Sequence, residues 1–141
     1  MRYGAYMTSS LSLDHILANM ELKPQGIYVF VALDEVPEGV EPFATVREYE
    51  GQTIVISEDR AIEAGLPTEK RFTRISLDVP SSLETIGITA TIAQILASRS
   101  ITCNSLAGFH RDHLFVQVDK ADEALEILHD LKEQAKGWLP K

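Results

Sequence analysis

The chain is short of cysteine, of basic residues and of long apolar runs, and each shortage closes off a class of protein. One cysteine, Cys103, among 141 residues excludes an intramolecular disulfide and a cysteine-rich zinc site, and it suits a reducing compartment. No apolar run nears the ~20 residues that cross a bilayer. The opening MRYGAYMTSS also lacks the apolar core of a signal peptide, so a cytoplasmic protein is expected. Thirteen basic residues face 21 acidic ones, and the net charge of −8 repels phosphate backbones. The densest basic group, Lys70, Arg71 and Arg74, reads as the flank of a strand, not as a nucleic-acid contact. Neither a Gly-x-Gly-x-x-Gly nor a Walker loop is present, and no cofactor is expected.

What remains is ordinary for a globular protein: 45% hydrophobic and 24% charged residues. A chain of this length buries roughly 68–70% of its unfolded surface, enough for a core without staples. Apolar residues at 13, 16, 17 and 20 predict a helix over 11–20, which Pro24 and Gly26 then break. Ile27 to Leu33 reads as a buried strand. Residues 43–50 and 53–57 read as a hairpin turning at Glu50-Gly51. A short helix from Ser57 to Gly65 follows, and Leu66 to Lys70 marks the boundary between an N-terminal unit, 1–68, and a C-terminal unit, 69–141.

In the second half, Thr73, Ile75, Leu77 and Val79 alternate with Arg74, Ser76 and Asp78 as a strand with one buried face. Apolar residues at 88, 92, 95 and 96 predict a helix over 85–100. Strands over 101–107 and 114–118 come next, then a helix with Asp119 as N-cap and Gly137 as its stop. Strand, helix, strand, strand, helix is a ferredoxin-like split βαβ unit without its last strand. The missing edge must come from the first half, with Ile27 to Leu33 the candidate.

Several ordered blocks carry a resemblance: ISLDVPSSLETIGITATIAQILA (75–97), ITCNSLAGFHRDHLFVQV (101–118) and ADEALEIL (121–128), with YVFVAL (28–33) and FATVREYEGQTIVIS (43–57) before them. Together they resemble the ACT domain, a small ligand-sensing βαββαβ module, and are similar to short bacterial proteins of unassigned function built from two ACT-like units. The resemblance implies an α+β fold of two interlocked units, with antiparallel sheet and helices on one face. It also implies a regulatory protein, not an enzyme, that binds a small molecule, commonly an amino acid, and pairs side by side into a homodimer or higher oligomer. Carried onto this chain, the ligand meets residues 78–89 and 104–106.

The residues there suit an amino acid. Asp78 would take its ammonium, and backbone N–H groups from Ile86 through Gly87 to Ile88, at a helix N-terminus, would take its carboxylate. Thr89 and Asn104 would add polar contacts, and Ile88 and Leu106 apolar walls. Asn104 and Ser105 cannot both face one ligand, because strand neighbours point to opposite sides. Against this stand two alternatives: a protein-interaction module without a ligand, and a small metal-dependent enzyme using His110, Asp112 and His113. The second is the weaker, since His15 and His129 lie on separate helices and a turn would scatter the other three. On the preferred reading those histidines mark a hairpin turn, where Asp112 bonds nearby backbone N–H groups.

Overall fold

The computed structural model describes residues 13–79 and 87–139. Helix α1 (13–19) leads into strand β1 (Glu21–Leu33). The hairpin β2 (Ala44–Glu48) and β3 (Gly51–Ser57), the short helix α2 (Glu58–Glu63) and strand β4 (Arg71–Asp78) complete the first half. Then come α3 (Ile88–Ala97), β5 (Asn104–Ala107), β6 (Asp112–Gln117), a 3₁₀ turn (Val118–Lys120) and α4 (Ala121–Trp138). The six strands form one antiparallel sheet in the order β2-β3-β1-β4-β6-β5.

Strand β1 begins six residues earlier than its apolar run suggests, so Pro24 and Gly26 lie inside it. Pro24 is tolerated because β3 pairs only with Tyr28 to Leu33, which leaves this stretch of β1 bonded on one side alone. The register then shifts between Pro24 and Ile27, and Gly26 takes φ 90° in the bulge. The same strand can thus pair with β4 through both halves and with β3 through its second half. This supplies the missing edge of the C-terminal unit.

The two units share their middle. Read outward, β4-β6-β5 with β1 beside it is one ferredoxin-like sheet, and β1-β3-β2 with β4 beside it is another. The hairpins match in register: Ala44 opposes Val55 as Asn104 opposes Phe115. Ser57 opposes Tyr28 as Gln117 opposes Phe72, and Tyr28 and Phe72 oppose each other. An approximate twofold axis therefore passes between Tyr28 and Phe72, and Asp34, just beyond β1, stands where Asp78 ends β4. Where the C-terminal unit has α3, the N-terminal one has the loop from Asp34 to Phe43.

Cross-strand partners share a face and neighbours along a strand alternate. Ile75, Leu77, Leu114 and Val116 thus face one way, into a core with Leu17, Ile92, Leu96 and Leu128 of α1, α3 and α4 and with Met20 just after α1. Val29, Val31, Ile54 and Ile56 continue that face into a smaller core with Ala61 of α2. The helices lie on this one face.

Element ends differ from the sequence pattern where tertiary contacts intervene. Residues 101–103 are not strand. Ile101 N–H bonds back to Leu96 at the end of α3, and Thr102 N–H donates to the Gln117 side chain. Asp119 lies in the 3₁₀ turn, so Lys120 occupies the N-cap of α4 without a side-chain cap. Gly137 does not stop α4, which runs on to Trp138.

Candidate functional site

Asp78 is placed by the end of β4, on the helix-free face and half-buried. Arg111 Nε donates to its Oδ1 at 2.7 Å, and Lys23 Nζ lies 3.5 Å from Oδ2. The Arg111 hydrogen bond, reinforced by the charges of Arg111 and Lys23, holds the Asp78 carboxyl below the usual carboxylate range. The cross-strand partner of Asp78 is Glu21, and Lys23 also reaches Glu21 at 3.8 Å. One lysine ammonium therefore sits against two carboxylates.

These carboxylates edge a cleft of about 510 Å³ lined by His15, Asn19, Glu21, Asp78 and Val79. His15 and Asn19 stand one turn apart on α1. Asn19 Nδ2 donates to the His15 carbonyl at 2.8 Å, and this leaves the Asn19 carbonyl oxygen as an acceptor. Of the stretches 78–89 and 104–106, only Asp78 and Val79 line this cleft. Glu21 was hidden because Lys23 to Gly26 reads as a helix break, and His15 because nothing in sequence links α1 to the end of β4.

The other sequence candidates separate. Ile86 lies outside the described residues, as do 80–85. Gly87 is the N-cap of α3 with φ 95°, a conformation that suits glycine, and it packs near Leu13. Ile88 turns into the core at 4% exposure, so its side chain lies away from solvent, while Thr89 is exposed on α3. Asn104 and Leu106 share the helix-free face with Asp78, and Ser105 takes the opposite one. They are two strands from β4, about 10 Å away.

The turn between β5 and β6 is Gly108 to Arg111, closed by the Gly108 N–H to Arg111 carbonyl bond. His110 belongs to it, with its ring against Phe109. Asp112 and His113 instead open β6 and point to opposite faces. The backbone of Asp112 pairs with Leu77 and Ala107 in the sheet, its side chain has no N–H partner among the described residues, and burial pushes its carboxyl up. Among the described residues no three His, Cys, Asp or Glu side chains converge on a metal-sized space. Cys103 is half-buried, and burial pushes its thiol up, away from reactivity.

His113 has a different partner. Its Nδ1 accepts from Arg74 Nε at 3.3 Å and lies 3.2 Å from Nη2, while Arg74 Nη1 donates to the Tyr28 hydroxyl at 2.7 Å. The guanidinium carbon lies 4.0 Å from the Phe43 ring centre. An arginine only donates, so His113 Nδ1 must carry a lone pair and the ring is neutral. Burial first, then the charges of Arg74 and Arg111, hold the imidazole below its ordinary pKa, with Asp78 opposing them. Phe43, Tyr28 and Phe30 surround Phe115, which is fully buried on a face that none of the described helices covers.

Comparison with known proteins agrees with this architecture. ACT-domain family models match residues 8–73 and, in tandem, 68–130. A Vibrio cholerae protein of unknown function, described as a possible transport protein, is 38% identical, with a TM-score of 0.75 over 86% of this chain and 96% of that one. An Agrobacterium tumefaciens protein is 19% identical, with a TM-score of 0.61 over 80% and 89% of the two chains. The ligand-free regulatory subunit of Thermus thermophilus aspartate kinase is 14% identical, with a TM-score of 0.57 over 79% and 95%. These last two likenesses bear on the fold alone. No curated protein sequence matches the chain.

Proposed function

Since the chain belongs to the family of short bacterial proteins built from two tandem ACT domains, a regulatory, ligand-binding role is its premise, and we propose that it senses a free amino acid without doing chemistry of its own. The observation that carries this reading is the cleft at the end of β4, where Asp78 of one element meets Glu21 and Asn19 of two others. Carboxylate and amide oxygens there suit an ammonium group. Backbone N–H groups of Gly87 and Ile88, at the start of α3, would serve the carboxylate, with Thr89 beside them. Asn104 and Leu106, or Ser105 from the opposite face, would meet ligand only through a second copy. Strand β5 is an uncharged outer edge, and pairing it with a partner's edge would bring those residues into a shared interface and make a homodimer. The protein would act in the cytoplasm, passing its state to a regulated partner. Among the described residues no helix is long and apolar enough to cross a membrane.

A thermal-shift screen of the twenty amino acids, followed by calorimetric titration of any hit, tests the proposal. An amino acid at 100 times its dissociation constant should add about 2.7 kcal/mol of stability, and Asp78→Ala should abolish the effect. Silence across the panel would sink the sensor reading and favour a module that only binds protein. A hit untouched by Asp78→Ala would place the site elsewhere.

A further inference from the structure

Three features at the end of β4 have a common explanation. First, the cleft's polar lining offers acceptors from three elements: the Asp78 carboxylate of β4, the Glu21 carboxylate of β1 and the Asn19 carbonyl oxygen of α1. A primary ammonium has three N–H donors and no acceptor, so it matches that set in number and in sign. Second, the chain already sets such a group against the two carboxylates of that set. Lys23 Nζ lies 3.5 Å from Asp78 and 3.8 Å from Glu21, on a side chain 56% exposed and free to swing away. Third, Arg111 spends only its Nε on Asp78, and its two terminal nitrogens have no ion-pair or hydrogen-bond partner among the described residues. A guanidinium edge left open beside an ammonium position suits a molecule that carries ammonium and carboxylate together.

The twofold-related position shows what the arrangement requires. Asp34 stands there in place of Asp78 and borders a cleft of about 570 Å³ with Glu48 and Glu50. By the hairpin register, Gly51 stands where Arg111 stands. Of the two aspartates, only Asp78 has an arginine as ion-pair partner among the described residues.

We propose that Lys23 is a built-in competitor: its ammonium occupies the ligand's ammonium position between Glu21 and Asp78, and an α-amino acid enters by displacing it, with its carboxylate on Arg111. This rests on the sensor reading and adds to it an autoinhibitory group, the residues Glu21 and Asn19, and a side-chain partner for the ligand carboxylate. An occupant that blocks the site in a fraction of molecules weakens apparent affinity by the fraction left open. Removing one present in two thirds of molecules tightens binding about threefold.

The test is calorimetric titration of wild type, Lys23→Gln and Lys23→Arg with each of the twenty amino acids, with glycolate and methylammonium as probes that lack one charge. Lys23→Gln should tighten the bound amino acid by about threefold or more, Lys23→Arg should leave it near wild type, and Arg111→Gln should weaken amino acids but not methylammonium. An amino acid that binds wild type and Lys23→Gln equally overturns the competitor while the sensor stands. Binding that appears only in Lys23→Gln supports it. No binding to any of the three proteins overturns both.

Discussion

His113 and Arg74 show how a single side chain's chemistry follows from its neighbours. The groups facing the imidazole are Arg74 and Asp78 from β4, Arg111 from the β5–β6 turn and the Tyr28 hydroxyl from β1; β5 contributes no charge. The lone pair that holds Arg74 is lost on protonation, and a second cation then forms about 3 Å from the first. The folded-state pKa is lowered, so the unfolded chain, with an imidazole near 6.5, takes the proton first. The pair's contribution to stability is complete above about pH 6.5 and is lost as pH falls through the lower folded value. Urea midpoints measured from pH 8 to 5 should drop more for wild type than for His113→Gln, whose amide oxygen can accept from Arg74 at any pH. Equal slopes would show that His113 does not titrate differently on folding. The sequence shows a histidine next to an aspartate and suggests a turn. Only the pairing of β6 with β4 reveals its arginine.

Among the elements, the hairpin of β2 and β3 illustrates why glycine positions are easier to notice than to interpret. Glu50-Gly51 reads as the turn itself, yet the turn is Tyr49-Glu50 and Gly51 opens β3 opposite Glu48. A Cβ on Gly51 would fall 2.4 Å from the Leu33 carbonyl oxygen of β1, and its φ is 150°. Gly51→Ala should cost about 1–3 kcal/mol, read as a lower urea midpoint; an unchanged midpoint would mean that β1 and β3 can part freely. The amphipathic helices are more transparent. Ala121, Ala124, Leu128, Leu131 and Ala135 line the buried stripe of α4, and Leu128 is fully buried, so Leu128→Ala should cost about 2–5 kcal/mol. Helix stripes are visible because they depend on spacing within one segment. The start of β1 is not, because its pairing depends on a strand some fifty residues away.

For the whole molecule, sharing is the governing fact. Strands β1 and β4 each belong to both ACT units, and the division at residues 68–69 falls in a connection across which the sheet continues. Splitting the chain there separates β1 from β4 and leaves each half with an exposed sheet edge and an unfinished core. Residues 1–68 and 69–141 made separately should show no cooperative unfolding by circular dichroism, and mixing them should restore it. Cooperative unfolding of 69–141 alone would mean that the C-terminal unit needs no borrowed strand.

Local pattern determined a good deal of this protein by itself: the helices, the alternation in β4, the hairpins, the acidic charge and, through the order of blocks, the ACT-like plan with a strand missing. Those properties are written in spacing and composition over ten to twenty residues. Tertiary structure alone decided that Glu21, Lys23 and Asn19 gather around Asp78, that Arg111 reaches it, and that Asn104 and Leu106 stand apart. Side chains from four separate segments meet there only once β1 crosses between the two units, and no local propensity encodes that crossing.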